Sequence, residues 1–316
     1  MYTSADLGGI MAMMPAFATA DATSIEARST IHIENLKAGV DKIIDDGIGV
    51  IATAGSFGEF HTLLWEEFET LTRATVEAVR GRVPLFIGCT ALNSREVVRK
   101  MEVARAAGAK GVMVGVPFYF PSTVDNAVRF FQDIGRLFPD LAIMLYHNPT
   151  LHRITIPVEA FKELAKIPNI VAMKDSHRDP VSMVKLLDIM QGRMSAFVNQ
   201  HQYFVFRGLG AAGFWSIDAW MDPAPLLALR DAVNQGDVAR AKKITLDIAG
   251  ATTGPQNLSW RETASKIAQG YAGYCNPGPL RPPFMEIPDS VDSAARRTAE
   301  YWKGLCDKYR SKGAGR

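Results

Sequence analysis

Cysteine is scarce in this chain and follows no pattern. Its three cysteines, Cys89, Cys275 and Cys306, lie far apart, without metal-ligand spacing and odd in number, which points to free thiols in a reducing compartment. A cytoplasmic location is expected. An excess of one charge is also missing: 35 Lys and Arg against 33 Asp and Glu leave a net +2, and the basic residues are spread out, so no polyanion-binding surface and no nucleic-acid partner are expected. No membrane partner is expected either. The apolar segment Gly8 to Phe17 is far shorter than the ~20 residues of a membrane span and follows no basic region, so it reads as a buried strand. The six histidines, His32, His61, His147, His152, His177 and His201, show no H-x-H or H-E-x-x-H grouping, which disfavours a zinc-dependent mechanism. There is no dinucleotide fingerprint and no P-loop. Neither a metal nor a cofactor is expected.

What is present suits a large globule. Apolar residues make up 47% and charged residues 22% of the 316 residues, enough to bury a substantial core. Short apolar runs recur, each followed by a longer amphipathic stretch, the pattern of parallel strands joined by crossover helices. The runs are Ile10 to Phe17, Gly49 to Ala54, Leu85 to Gly88, Gly111 to Val116, Ala142 to Tyr146, Ile170 to Met173, Ala196 to Asn199 and Gly213 to Ile217. Helical spacing covers Ile31 to Asp46, Trp65 to Arg80, Ser94 to Ala107, Val124 to Phe138 and Val158 to Lys166, with capping residues at Asn93 and at Ser122-Thr123. Eight such units favour a closed TIM (β/α)8 barrel over an open doubly wound sheet. Helical stretches near Pro225 to Asn234, Asp237 to Ile248, Leu258 to Gln269 and Ala294 to Lys308 follow. The expected organisation is a barrel over 1–236 and a C-terminal helical extension over 237–316, with a tail from Asp307 that frays.

Catalytic groups of such barrels stand at the C-terminal ends of strands. Four places qualify: Gly55-Ser56-Phe57-Gly58-Glu59, Tyr146-His147-Asn148-Pro149, Lys174-Asp175 and Trp215-Ser216. A lysine closing a buried strand puts its amine in an apolar mouth, where desolvation favours the neutral, nucleophilic form; the alternative is a lysine that reaches solvent or pairs with Asp175. Tyr146 closes the neighbouring strand and can shuttle protons, unless it is a packing tyrosine. The glycine-bearing turn offers backbone N–H groups and the Ser56 hydroxyl to a small carboxylate. His147 and His152 read as solvated loop histidines, the alternative being that they recognise an acidic or phenolic substituent.

A G-T-T-G-E-like turn, a Y-x-x-P segment on the fifth strand and a lysine ending the sixth, in this order, resemble the dihydrodipicolinate synthase / N-acetylneuraminate lyase superfamily from about Gly9 to Pro283. The resemblance implies a metal-free class I aldolase acting on a pyruvate-type 2-oxo acid and an aldehyde. It makes Lys174 the Schiff-base lysine and Tyr146 the proton relay, and assigns Ser56 with its neighbouring amides to the pyruvate carboxylate. It also implies a homotetramer, a dimer of dimers, in which Tyr119 reaches a neighbouring subunit's site.

Departures bear on the substrate. Phe57 stands where a second hydroxyl residue is usual, and the arginine that usually follows the proline is displaced to Arg153, so a second carboxylate or a polyol is poorly provided for. Phe57, Asn148-Pro149, Gly213-Phe214-Trp215-Ser216 and Gly278-Pro279-Leu280-Arg281-Pro282-Pro283 resemble one branch, the trans-o-hydroxybenzylidenepyruvate hydratase-aldolases. In that reading Phe57 and Trp215 wall an aryl ring, with Ser216 beside them, and Asn148 orients the water of hydration; core aromatics without substrate contact are the alternative. Met173-Lys174-Asp175-Ser176-His177 and Thr150-Leu151-His152 depart from the branch. Competing functions are a synthase or sugar-acid dehydratase using the same lysine, and a binding barrel without turnover.

Overall fold

The computed structural model describes residues 1–175, 178–251 and 258–310. Eight strands close a barrel in sequence order: Gly9–Met13 (β1), Val50–Ala52 (β2), Leu85–Gly88 (β3), Gly111–Val114 (β4), Ala142–His147 (β5), Ile170–Asp175 (β6), Ser195–Asn199 (β7) and Gly213–Ser216 (β8). The ladders from β2 to β8 are parallel. Their side chains are buried almost throughout, because a parallel strand covered on both faces has no water side; hence the continuous apolar runs.

The chain forms two compact units. The first comprises Met1–Met11, Gly49–Ala52 and Gly81–Trp215. Its helices Ser94–Ala106 and Val124–Leu137 start where the sequence signals it: Asn93 and Thr123 accept from the backbone N–H groups of Glu96 and Asn126. The helix Pro180–Met190, which hydrophobic spacing did not pick out, opens the same way, with Asp179 accepting from Ser182 N–H and proline at its first position.

The second unit comprises Ala12–Ile48, Thr53–Arg80 and Ser216–Arg316. It holds the helices Ile33–Asp45, Trp65–Val79, Ala224–Asn234, Val238–Ala249, Leu258–Ala272 and Asp289–Arg310. Buried Trp220 meets Phe17 edge to face at 5.6 Å, and Gly39 lets them approach: a Cβ there would sit 2.8 Å from the Phe17 ring. The last helix corrects the expected fraying from Asp307. It runs to Arg310, with Cys306 buried, Lys308 and Tyr309 bonded to Asp247 and Arg310 bonded to Asp222; residues 311–316 lie outside the described ones. Cys89, Cys275 and Cys306 are free thiols. Among the described residues no helix is long and apolar enough to cross a membrane.

Candidate active site

The register between β5 and β6 decides which side chains share a face. It opens with Ile143 opposite Ile170, shifts by one residue, and then runs Met144–Ala172, Leu145–Met173, Tyr146–Lys174 and His147–Asp175. The irregularity leaves Val171 as an extra residue on β6, and an insertion of one residue flips every later side chain to the other face. Tyr146 and Lys174 thereby face the same way, and His147 and Asp175 face the opposite way.

On the first face, Lys174 is 3% exposed. Its Nζ lies 3.8 Å from the centroid of the Trp215 ring and 4.3 Å from that of Tyr146. The amine, carried by β6, thus sits against two π faces contributed by β5 and β8. Trp215 is oriented by its indole N–H, which donates to the backbone carbonyl of Asp175 at 3.0 Å. Asn148 Nδ2 donates to Tyr146 Oη at 3.2 Å, while Asn148 Oδ1 caps the Pro149–His152 turn by accepting from Leu151 N–H. The Tyr146 oxygen therefore accepts one bond and directs its proton elsewhere, and Asn148 keeps one amide hydrogen for a further partner.

His147 and His152 correct the expectation of solvated loop histidines: they are 2% and 4% exposed. His147 belongs to β5 itself. His152 ends the Pro149–His152 turn, meets the Tyr146 ring edge to face at 4.8 Å and 87°, and accepts weakly from Asn148 N–H at 3.4 Å. Burial, with His147 and Lys174 nearby, pushes its imidazole down to about 3, so it stands neutral beside the tyrosine.

On the opposite face, Asp175 Oδ2 accepts from Arg178 Nε at 2.8 Å and lies 3.3 Å from His147 Nδ1. An arginine, Arg178, holds this carboxylate oxygen. The group of Asp175, Arg178 and His147 was not foreseen in the sequence, although Asp175-x-x-Arg178 is a readable local pair. Ser176 and His177 lie outside the described residues.

The remaining predicted residues are placed as follows. Gly55, Ser56 and Phe57 form a turn of the second unit directly after β2. Glu59 N–H donates to Ser56 O at 3.1 Å, and Ala54 and Glu59 adopt left-handed φ values of 42° and 54°. Gly58 admits no side chain, since a Cβ would sit 2.8 Å from Ala54 N. The turn is anchored by Glu59, whose Oε2 accepts from Lys266 Nζ at 2.5 Å and from Arg281 Nη1 at 3.0 Å. Arg281 also donates to Thr30 and to the carbonyls of Ala16 and Phe17, which accounts for the arginine of the Gly278 to Pro283 motif. Phe57 is buried and Ser56 half-buried. Ser216 Oγ accepts from Asp218 and Ala219 N–H, capping the next turn. Tyr119 is 66% and Phe120 75% exposed, their rings edge to face, and Arg153 donates to the Tyr119 carbonyl at 2.8 Å. Among the described residues no group of three or more His, Cys, Asp or Glu could hold a metal ion.

Residues 13–296 match the dihydrodipicolinate synthetase family. A trans-o-hydroxybenzylidenepyruvate hydratase-aldolase of Pseudomonas aeruginosa is 31% identical over 321 residues, covering 97% of this chain and 95% of the relative. A trans-2'-carboxybenzalpyruvate hydratase-aldolase of Nocardioides sp. (strain KP7) is 28% identical and covers 97% and 96%. The solved structure of PhdJ bound to a substrate intermediate superposes with a TM-score of 0.93 at 26% identity, covering 98% of this chain and 99% of that one. With the lysine and tyrosine paired across neighbouring strands of a closed barrel, this chain belongs to the dihydrodipicolinate synthetase family.

Proposed function

We propose that the protein is a class I pyruvate aldolase of the hydratase-aldolase type, which hydrates an arylidene pyruvate and cleaves it to an aromatic aldehyde and pyruvate. The observation that carries this reading is the Lys174 amine, buried between the Tyr146 and Trp215 rings. The relatives of similar length named hydratase-aldolases support the same reading.

Lys174 Nζ attacks the keto carbon of the 2-oxo acid; loss of water from the carbinolamine leaves an iminium. The iminium withdraws electrons through the conjugated alkene, so water adds at the benzylic carbon. Tyr146 Oη carries protons to and from the carbinolamine oxygen and the new hydroxyl, and Asn148, hydrogen-bonded to Tyr146, orients the water with its remaining amide hydrogen. Water addition leaves an enamine, and its protonation at the carbon next to the imine carbon restores the iminium. Loss of the hydroxyl proton then drives carbon–carbon cleavage, which releases the aldehyde and leaves a second enamine, protonated and hydrolysed to pyruvate and free Lys174. The family resemblance assigns the substrate carboxylate to Ser56 and the amides of its turn, and the aryl ring to Phe57 and Trp215. It also supports a homotetramer in which a second copy covers the exposed Tyr119 and Phe120; sedimentation velocity tests that assembly.

Borohydride with pyruvate is expected to leave a stable secondary amine on Lys174, mapped by peptide mass, and Lys174→Ala is expected to lose adduct and turnover while keeping its far-UV circular dichroism. An adduct on another lysine removes the assignment. A panel of aromatic and sugar aldehydes condensed with pyruvate decides the narrower part: aromatic products support the hydratase-aldolase, and products from sugar aldehydes alone favour a synthase.

A further inference from the structure

Behind the strand pair that carries Lys174 and Tyr146 lies a buried ionic group that the proposed reaction does not use. Asp175 is 1% exposed, and its carboxylate receives Arg178 Nε at 2.8 Å. Arg178 Nη1 donates to the Ile156 carbonyl at 3.1 Å, and His147 Nε2 accepts from the Ile156 N–H at 3.2 Å. Because Nε2 is an acceptor, the proton of a neutral His147 must sit on Nδ1. That nitrogen lies 3.3 Å from Asp175 Oδ2 but is too poorly aligned for a full hydrogen bond. Both polar atoms of the Ile156 backbone are thus tied to this group, and the other end of Asp175, its carbonyl, holds the Trp215 indole N–H.

Burying a carboxylate and a guanidinium costs more than packing apolar residues in their place, so stability alone does not account for the pair. Its geometry does. Lys174 has four rotatable side-chain bonds and is held by two rings; one of them, Trp215, is fixed by the carbonyl of the residue next to Lys174.

We propose that Asp175 is a positioning residue. Its carboxylate, gripped by Arg178 and faced by His147, fixes the end of β6, and its carbonyl fixes the Trp215 ring against the Lys174 amine. The chemical half of this inference rests on Lys174 being the Schiff-base lysine; the geometric half does not.

The test uses Asp175→Asn, which keeps the size and one acceptor but removes the charge. Two readouts are taken on the folded protein. The first is the near-ultraviolet circular dichroism of Trp215, obtained as the difference between each protein and its Trp215→Phe counterpart without any substrate. The second is the rate of borohydride trapping of pyruvate on Lys174, per mole of folded enzyme. Asp175→Asn is expected to change the Trp215 difference spectrum and to slow trapping by about 10- to 100-fold, the scale of a reacting group displaced by about 1 Å. His147→Gln, whose amide oxygen can still accept from Ile156 N–H, is expected to act in the same direction with a smaller effect, and it decides the matter should Asp175→Asn not fold. A variant that melts earlier but keeps both the Trp215 spectrum and the trapping rate of the wild type overturns the inference, because it shows a purely structural role. Absence of trapping in the wild type removes the Schiff-base reading and the chemical half with it, and the Trp215 spectrum alone then upholds or overturns the geometric half.

Discussion

Gly115 leaves the space that the His152 imidazole fills: a Cβ built on Gly115 would lie 2.2 Å from His152 Cε1 and 2.5 Å from Nε2. The same ring meets Tyr146 edge to face, so the absence of one methyl group after β4 is coupled to the setting of Tyr146 on β5.

Gly115→Ala is therefore expected to push His152 from its seat at a cost of about 1–3 kcal/mol, the range for overpacking a filled interior. If Tyr146 moves with it, turnover of an arylidene pyruvate falls more than borohydride trapping of pyruvate does, since in the proposed mechanism trapping uses the phenol only at the carbinolamine, whereas turnover uses it there and again at the new hydroxyl. Urea unfolding and the two rates measured side by side check this; equal losses in both rates would point to general disorder of the site.

His152 also makes stability pH-dependent. Its folded-state value of about 3 lies below the ordinary 6.5. Between these values the unfolded chain binds a proton that the folded protein does not, so stability rises with pH across that window. The contribution is complete above 6.5 and is lost as pH falls towards 3, with a slope of up to about 1.4 kcal/mol per pH unit. Replacing the residue by Gln is expected to flatten this part of the acid limb, read from denaturant midpoints at pH 7, 6 and 5. An unchanged slope would show that His152 is protonated in the folded protein.

Glu59→Gln is expected to destabilise the second unit by about 3–5 kcal/mol, because it strands two buried cations without their shared carboxylate. Burial already pushes the Lys266 ammonium down, with Glu59 the main opposing influence. Arg281→Met removes one of those cations, so the double variant is expected to lose less than the sum of the single losses. Additive losses in urea midpoints would show that Glu59 and Arg281 do not act as a pair.

Much of this molecule is legible in one dimension. The eight apolar runs are the eight strands, because parallel strands covered on both faces need no polar residues. Asn93 and Thr123 cap the helices they precede, because a cap is a bond between residues three apart. Lys174, Tyr146 and Trp215 stood out for the same local reason: each falls where an apolar run ends, and in a barrel those ends converge. The helix Pro180–Met190 carries its signal in the cap Asp179-Pro180 rather than in its hydrophobic spacing.

What the chain could not disclose by itself depends on partners far apart in sequence. The extra residue on β6 decides that Tyr146 shares a face with Lys174 and His147 with Asp175, and such a shift belongs to the pairing of two strands rather than to either run. The burial of His147 and His152, the seat that Gly115 leaves, and the meeting of Glu59 with Lys266 and Arg281 across more than 200 residues were likewise settled only by tertiary structure. A buried charge or imidazole is tolerable only with its partner beside it, and no local pattern in the sequence carries that pairing.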